Sequence, residues 1–184
     1  LTFSRGSLLG VVAGLGMISL LRYRRLIWVM IAVAALVIIL PQTQVYVQRF
    51  IEGIQGEDLA TQMRFGEYKD AFQLINRYPL TGVGFFGTPD IDVYVGVSSV
   101  YLLLAQQTGL IGAGLYLLIG LVYLVIIATS LRQLPRRHPL ETALLAYGGG
   151  ILGAMVGGVF DHFYFNLTFI HIAALYWLTL GLGM

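Results

Sequence analysis

Arg5 and Arg64 carry guanidinium groups, which keep their charge at any physiological pH and bind phosphate oxygens through a planar fork. Asp161 and His162 stand side by side in "FDHFYFN", and His171 follows inside an apolar run. A carboxylate or imidazole so placed can take the proton of a hydroxyl group. Ser98 and Ser99 lead into another apolar run, and Tyr68 lies one helical turn after Arg64, on the same side. These types suit displacement of a phosphorylated leaving group by a hydroxyl. Used in that way, the arginines would steady the departing anion, Asp161 or His162 would receive the proton, and Tyr68 and His171 would contact the bound substrate.

Each residue also has a plainer reading. The arginines can snorkel or pair with Glu67 and Asp70. Asp161 and His162 can finish a helix end, His171 can bond across helices, and the two serines can cap a helix N-terminus. No cluster has metal-ligand spacing and there are no cysteines, so no metal and no cofactor are expected. The glycines of "PLTGVGFFG" (Gly82, Gly84, Gly87) look like a phosphate loop, yet no strand precedes them and no lysine follows. They permit a tight turn that lays a helix over the bundle and leaves a small-residue cavity.

The elements that must position these groups are membrane helices. Of 184 residues, 58% are hydrophobic and 11% charged, with a mean hydropathy of +0.81, too little charge to cover a soluble domain. A net charge of +2, with its arginines clustered, gives no nucleic-acid surface. Five apolar segments stand out: 7–21, 26–40, 97–131, 144–159 and 167–182. The third is too long for one crossing, and Gly109 and Gly112 divide it into a lead-in helix, 97–108, and a span, 110–131. The expected fold is an all-α transmembrane bundle of about five spans. Residues 1–40 form two spans, 41–96 a large loop and 97–184 the remaining three.

Sidedness follows from arginine. "RYRR" (Arg22, Arg24, Arg25) and "RQLPRRH" (Arg132, Arg136, Arg137) mark the cytoplasmic turns, while "FDHFYFN" has no basic residue of that kind. The N-terminus, residues 41–96 and "FDHFYFN" then face outside. Within the loop, "DLATQMRFGEYKDAFQLINRYP" reads as an amphipathic helix ended by Pro79, with Met63, Tyr68, Ala71, Phe72 and Ile75 on one face. Glycines recur every fourth residue at Gly6, Gly10 and Gly14 and again at Gly149, Gly153 and Gly157, the spacing at which helix backbones meet in lipid.

Three motifs in order, "TFSRG", "R-x-x-x-Y-x-x-A" continuing to "YPLTGVGFFG", and "VYLLLAQQTGLIGAGLYLL", resemble the O-antigen ligase and O-antigen polymerase superfamily. The resemblance covers nearly the whole chain and implies the C-terminal half of a GT-C-like glycosyltransferase in the bacterial cytoplasmic membrane. It also implies an undecaprenyl-diphosphate-linked glycan as donor and a glycan or lipid as acceptor. Arg5 and Arg64 take the places of the family's diphosphate-holding arginines. Ser98 stands where the family has a histidine, and Ser99 where it has an asparagine. The competing expectations are a relative that binds lipid-linked glycan without turning it over, and an inorganic-carbon-type transport protein.

Overall fold

A computed structural model describes residues 5–55, 59–85, 97–136, 138–165 and 170–184. Among these the chain is helical throughout, with no strand. The helices are α1 (Arg5–Leu21), α2 (Arg25–Ile39), α3 (Gln44–Gln55), α4 (Leu59–Arg77), α5 (Val100–Gln133), α6 (Pro139–Gly157) and α7 (Ile170–Leu182). α5 and α6 are long and apolar enough to cross a membrane, and α1, α2 and α7 are shorter apolar helices.

The two glycine rows find each other. α1 and α6 run antiparallel and backbone to backbone: a Cβ on Gly10 would stand 2.6 Å from the Gly153 carbonyl oxygen, and one on Gly14 2.5 Å from that of Gly149. A Cβ on Gly6 would stand 2.7 Å from the Phe160 side chain and 3.6 Å from the Gly157 carbonyl oxygen. Such approach maximises van der Waals contact where no hydrophobic effect drives helices together.

α5 folds back on itself. Gly109 has φ 74° and ψ −179°, a conformation essentially reserved for glycine, and it separates an arm (100–108) from a shaft (110–133). A straight helix would hold Tyr101 and Tyr116 about 22 Å apart. Their rings are 6.2 Å apart and edge to face. The division expected at Gly109 is therefore present, while Gly112 stays helical against Thr108. The shaft buries Tyr116, Tyr123, Ile127 and Leu131 against Leu145, Ile151 and Met155 of α6 and Tyr176 and Leu180 of α7. Tyr116 stacks on Tyr176 at 5.4 Å between ring centres.

At the opposite end Arg22 is more than a marker of sidedness. Its Nε lies 3.2 Å from Glu141 Oε1, and its Nη2 donates to the carbonyls of Leu131 and Leu134, the latter at 2.8 Å. One side chain thus joins the end of α1, the end of α5 and the first turn of α6, with Glu141 only 4% exposed. α6 begins earlier than the apolar run because His138 Nδ1 accepts the Leu140 N–H and Pro139 opens the helix.

α2 has no buried residue, and Trp28 is 71% exposed. A helix apolar on every side and uncovered by its own chain requires a non-aqueous neighbour. α3, inside the segment read as the large loop, places Val47, Phe50 and Ile51 at helical spacing.

Candidate functional site at the loop end

The loop helix and the arm of α5 lie side by side and in register. Glu67 meets Ser98, and Pro79 meets Leu110, so the two helices run parallel. Tyr68 and Ala71 pack against Val97, Leu102 and Leu103 between those two anchors, and Leu74 and Ile75 are buried.

The glycine turn forms the upper anchor. Breaking α5 at Gly109 releases the Gln106 and Gln107 carbonyls from helical bonding, and such groups need other partners. Val83 N–H donates to Gln106 O at 2.8 Å, Gly84 N–H to Gln107 O at 2.9 Å, and Leu110 N–H to Pro79 O at 2.8 Å. At Gly82 and Gly109 the fit leaves no room for a side chain. A Cβ on Gly82 would lie 2.5 Å from the Gln106 oxygen, and one on Gly109 2.1 Å from that of Leu80. Gly84, by contrast, has open space around it. Gly82 is pressed against backbone, and Gly87 lies outside the described residues.

The lower anchor is made by polar side chains. Ser98 donates both its backbone N–H, at 2.9 Å, and its hydroxyl, at 2.8 Å, to a single oxygen, Glu67 Oε2. Ser98 is therefore no helix cap. Ser99 occupies the cap position of α5, but its hydroxyl makes no capping bond and instead reaches the Gly158 carbonyl at 3.5 Å. Arg64 sits one turn before Glu67 and Tyr68, half-buried. The pairing expected between Arg64 and Glu67 or Asp70 is not made: among the described residues no carboxylate lies within ion-pair distance of Arg64. Burial raises the Tyr68 phenol above its usual 10, Arg64 pulls it back, and Glu67 adds to the rise. Tyr68 thus remains a neutral hydrogen-bond donor beside a cation.

A second group of polar residues follows α6. Val100 N–H donates to Gly158 O at 2.8 Å, which brings the start of the arm to the end of α6. Asp161 Oδ1 accepts the His162 backbone N–H at 2.8 Å and lies 3.9 Å from His162 Nδ1, so the pair partly finishes its own turn. Burial raises the neighbouring Tyr164 phenol, and Asp161 adds to it. An open groove of about 380 Å³ runs from this end along the seam of α1 and α6, bordered by Ser7, Gly10, Ile18, Gly149, Asp161 and Tyr164. Arg5 opens α1 at the same end, and its side chain lies outside the described part. His171 is in the first turn of α7 and largely exposed.

The chain order of these contacts links Arg64, Tyr68, Glu67 and Ser98 through Ser99 and Gly158 to Asp161. Glu67 is the residue that sequence reasoning missed as more than a salt-bridge partner. Its place three residues after Arg64 put it on the right face, but nothing local pointed to Ser98.

A family model described as O-antigen ligase matches residues 1–117. No curated protein matches the chain, and no solved structure matches it.

Proposed function

Because the chain belongs to the O-antigen ligase family, we propose that it is a membrane glycosyltransferase that moves or polymerises a glycan carried on undecaprenyl diphosphate. Family membership supplies the coarser role, glycan processing at a membrane with a lipid-linked glycan and an acceptor as substrates. The observation that carries the reading further is Arg64, a half-buried guanidinium beside a neutral phenol, with no carboxylate within ion-pair distance among the described residues. A cation held so is ready for an anion supplied from outside the chain.

In this reading Arg64, with Arg5 across the site, holds the diphosphate, and Tyr68 donates a hydrogen bond to it. An acceptor hydroxyl attacks the anomeric carbon from the opposite face, the carbon–oxygen bond to the diphosphate breaks, and the arginines stabilise the leaving charge. Fixed cations do the work a divalent ion would otherwise do, so no metal or cofactor enters the scheme. Asp161, His162 and Ser98 are the groups near enough to the end of α6 to receive the proton, and His171 faces the substrate from α7. α1, α2, the α5 shaft, α6 and α7 make five crossings of the bacterial cytoplasmic membrane. The arginine turns lie inside and the loop, 41–96, outside. With 13 residues, α7 is about 20 Å long. Its flanking residues or a thinned bilayer must cover the rest of a core about 30 Å thick.

The test is reconstitution of the full-length protein in proteoliposomes with a fluorescent polyprenyl-diphosphate oligosaccharide, followed by product mass. Arg64→Ala should lower transfer by ~10²–10³-fold, by analogy with loss of one preorganised donor to a developing anion. Undiminished product from that variant rejects the reading. Binding without turnover by the wild type marks a non-catalytic relative instead.

A further inference from the structure

We propose that Glu67, acting through Ser98, receives the proton of the attacking hydroxyl. The proposal rests on the glycosyl-transfer reading above and adds a residue to it.

The geometry of one oxygen carries the argument. Glu67 Oε2 accepts the Ser98 hydroxyl at 2.8 Å and the Ser98 N–H at 2.9 Å. The backbone bond fixes the carboxylate, and the hydroxyl bond commits the serine's only hydrogen to it. Both lone pairs of Ser98 Oγ are thereby left to accept, as an incoming hydroxyl requires. Arg64 lies one turn earlier on the same helix and Tyr68 is the next residue, so the proton acceptor and the proposed diphosphate ligand share one helix face.

A clamp between helices is the alternative role, and the structure already supplies one. The glycine turn fixes the far end by three backbone bonds, and Ala71, Leu74 and Ile75 are buried along α4. Neither needs a charge. A carboxylate kept half-buried at a contact that apolar groups could have made points to chemistry.

The step balances as follows. The acceptor oxygen forms its bond to the anomeric carbon, and the bond from that carbon to the diphosphate oxygen breaks, its electron pair leaving with the diphosphate. The acceptor's proton passes to Ser98 Oγ while the serine's own hydrogen passes to Glu67 Oε2. Water later takes that proton from the neutral acid.

Glu67→Gln separates relay from clamp, because the amide oxygen still accepts both Ser98 bonds but takes up no proton. In proteoliposomes of the full-length protein, with the labelled donor and either a second lipid-linked oligosaccharide or a glycolipid as acceptor, kcat should fall ~10²–10⁴-fold. KM for the donor should stay within about twofold of wild type. Ser98→Ala should lose a similar factor, Ser98→Thr should retain most activity, and the double variant E67Q/S98A should be no worse than either single one. Thermal unfolding in detergent shows whether each variant is folded. Glu67→Gln within threefold of wild type overturns the proposal, as does a loss confined to KM. A wild type that transfers nothing overturns this proposal and the broader reading together. An active wild type with inactive Arg64→Ala and active Glu67→Gln overturns this one alone.

Discussion

Replacing Gly109 by alanine tests whether the break in α5 and the glycine turn are one device. Two costs add. At φ 74° and ψ −179° a side chain is strained by about 1–3 kcal/mol. The new Cβ would also sit 2.1 Å from the Leu80 carbonyl oxygen, a contact that only a backbone shift can relieve. That shift pulls the turn off the arm and puts at risk the three bonds joining Pro79, Val83 and Gly84 to Leu110, Gln106 and Gln107. At about 0.5–1.5 kcal/mol each they bring the total to roughly 3–7 kcal/mol. Two glycines serve as controls. Gly84 has φ 85° but open space around it, so alanine there should cost only the conformational strain. Gly114 is helical with nothing near, so alanine there should be neutral or slightly stabilising. The assay is thermal unfolding in detergent together with amide exchange at Val83 and Gly84. Exchange at these two sites should accelerate in Gly109→Ala before the rest of the bundle is affected. Equal unfolding midpoints for Gly109→Ala and Gly114→Ala would refute the coupling.

Gly14→Leu should force α1 from α6 and lower the unfolding midpoint sharply, whereas Gly16→Leu, with nothing within 4 Å, should not; the paired melts check this. Arg22→Ala takes the guanidinium away from Glu141 in its 4% exposed position and should cost up to about 3–5 kcal/mol, with Arg22→Met/Glu141→Leu recovering part of it, as chemical denaturation would show. Tyr68 titrates above its usual 10, so the fold keeps its full contribution below that value and loses it as pH rises through the raised one. Wild type should therefore weaken relative to Tyr68→Phe only at strongly alkaline pH, in melts run across that range.

What was legible in the sequence was whatever a periodic pattern carries. The two glycine rows announced a close helix pair, and the structure matches Gly10 with Gly153 and Gly14 with Gly149. The length of the third apolar run announced a break at Gly109 and Gly112, and the structure puts it at Gly109. α3 was also readable from its apolar spacing, at Val47, Phe50 and Ile51. The site was only half visible. Arg64 and Tyr68 show themselves as neighbours on a helix face, but the partners of Ser98 and Arg22 are decided by tertiary contact. Glu67 stands 31 residues from Ser98, and the carbonyl of Leu134 stands 112 from Arg22. No local rule reaches that far. The glycine turn was legible as a device that lays the loop helix down, while its backbone partners, the Gln106 and Gln107 carbonyls, were not.

The link between Arg22 and Glu141 also sets a schedule for biosynthesis. Its two halves are 119 positions apart (141 − 22), so at about 5–20 residues per second roughly 6–24 s of translation separate them. Throughout that interval Arg22 lacks its carboxylate and the glycine face of α1 lacks α6. A resident partner, lipid or protein, has those seconds in which to occupy the seam before α6 arrives to claim it.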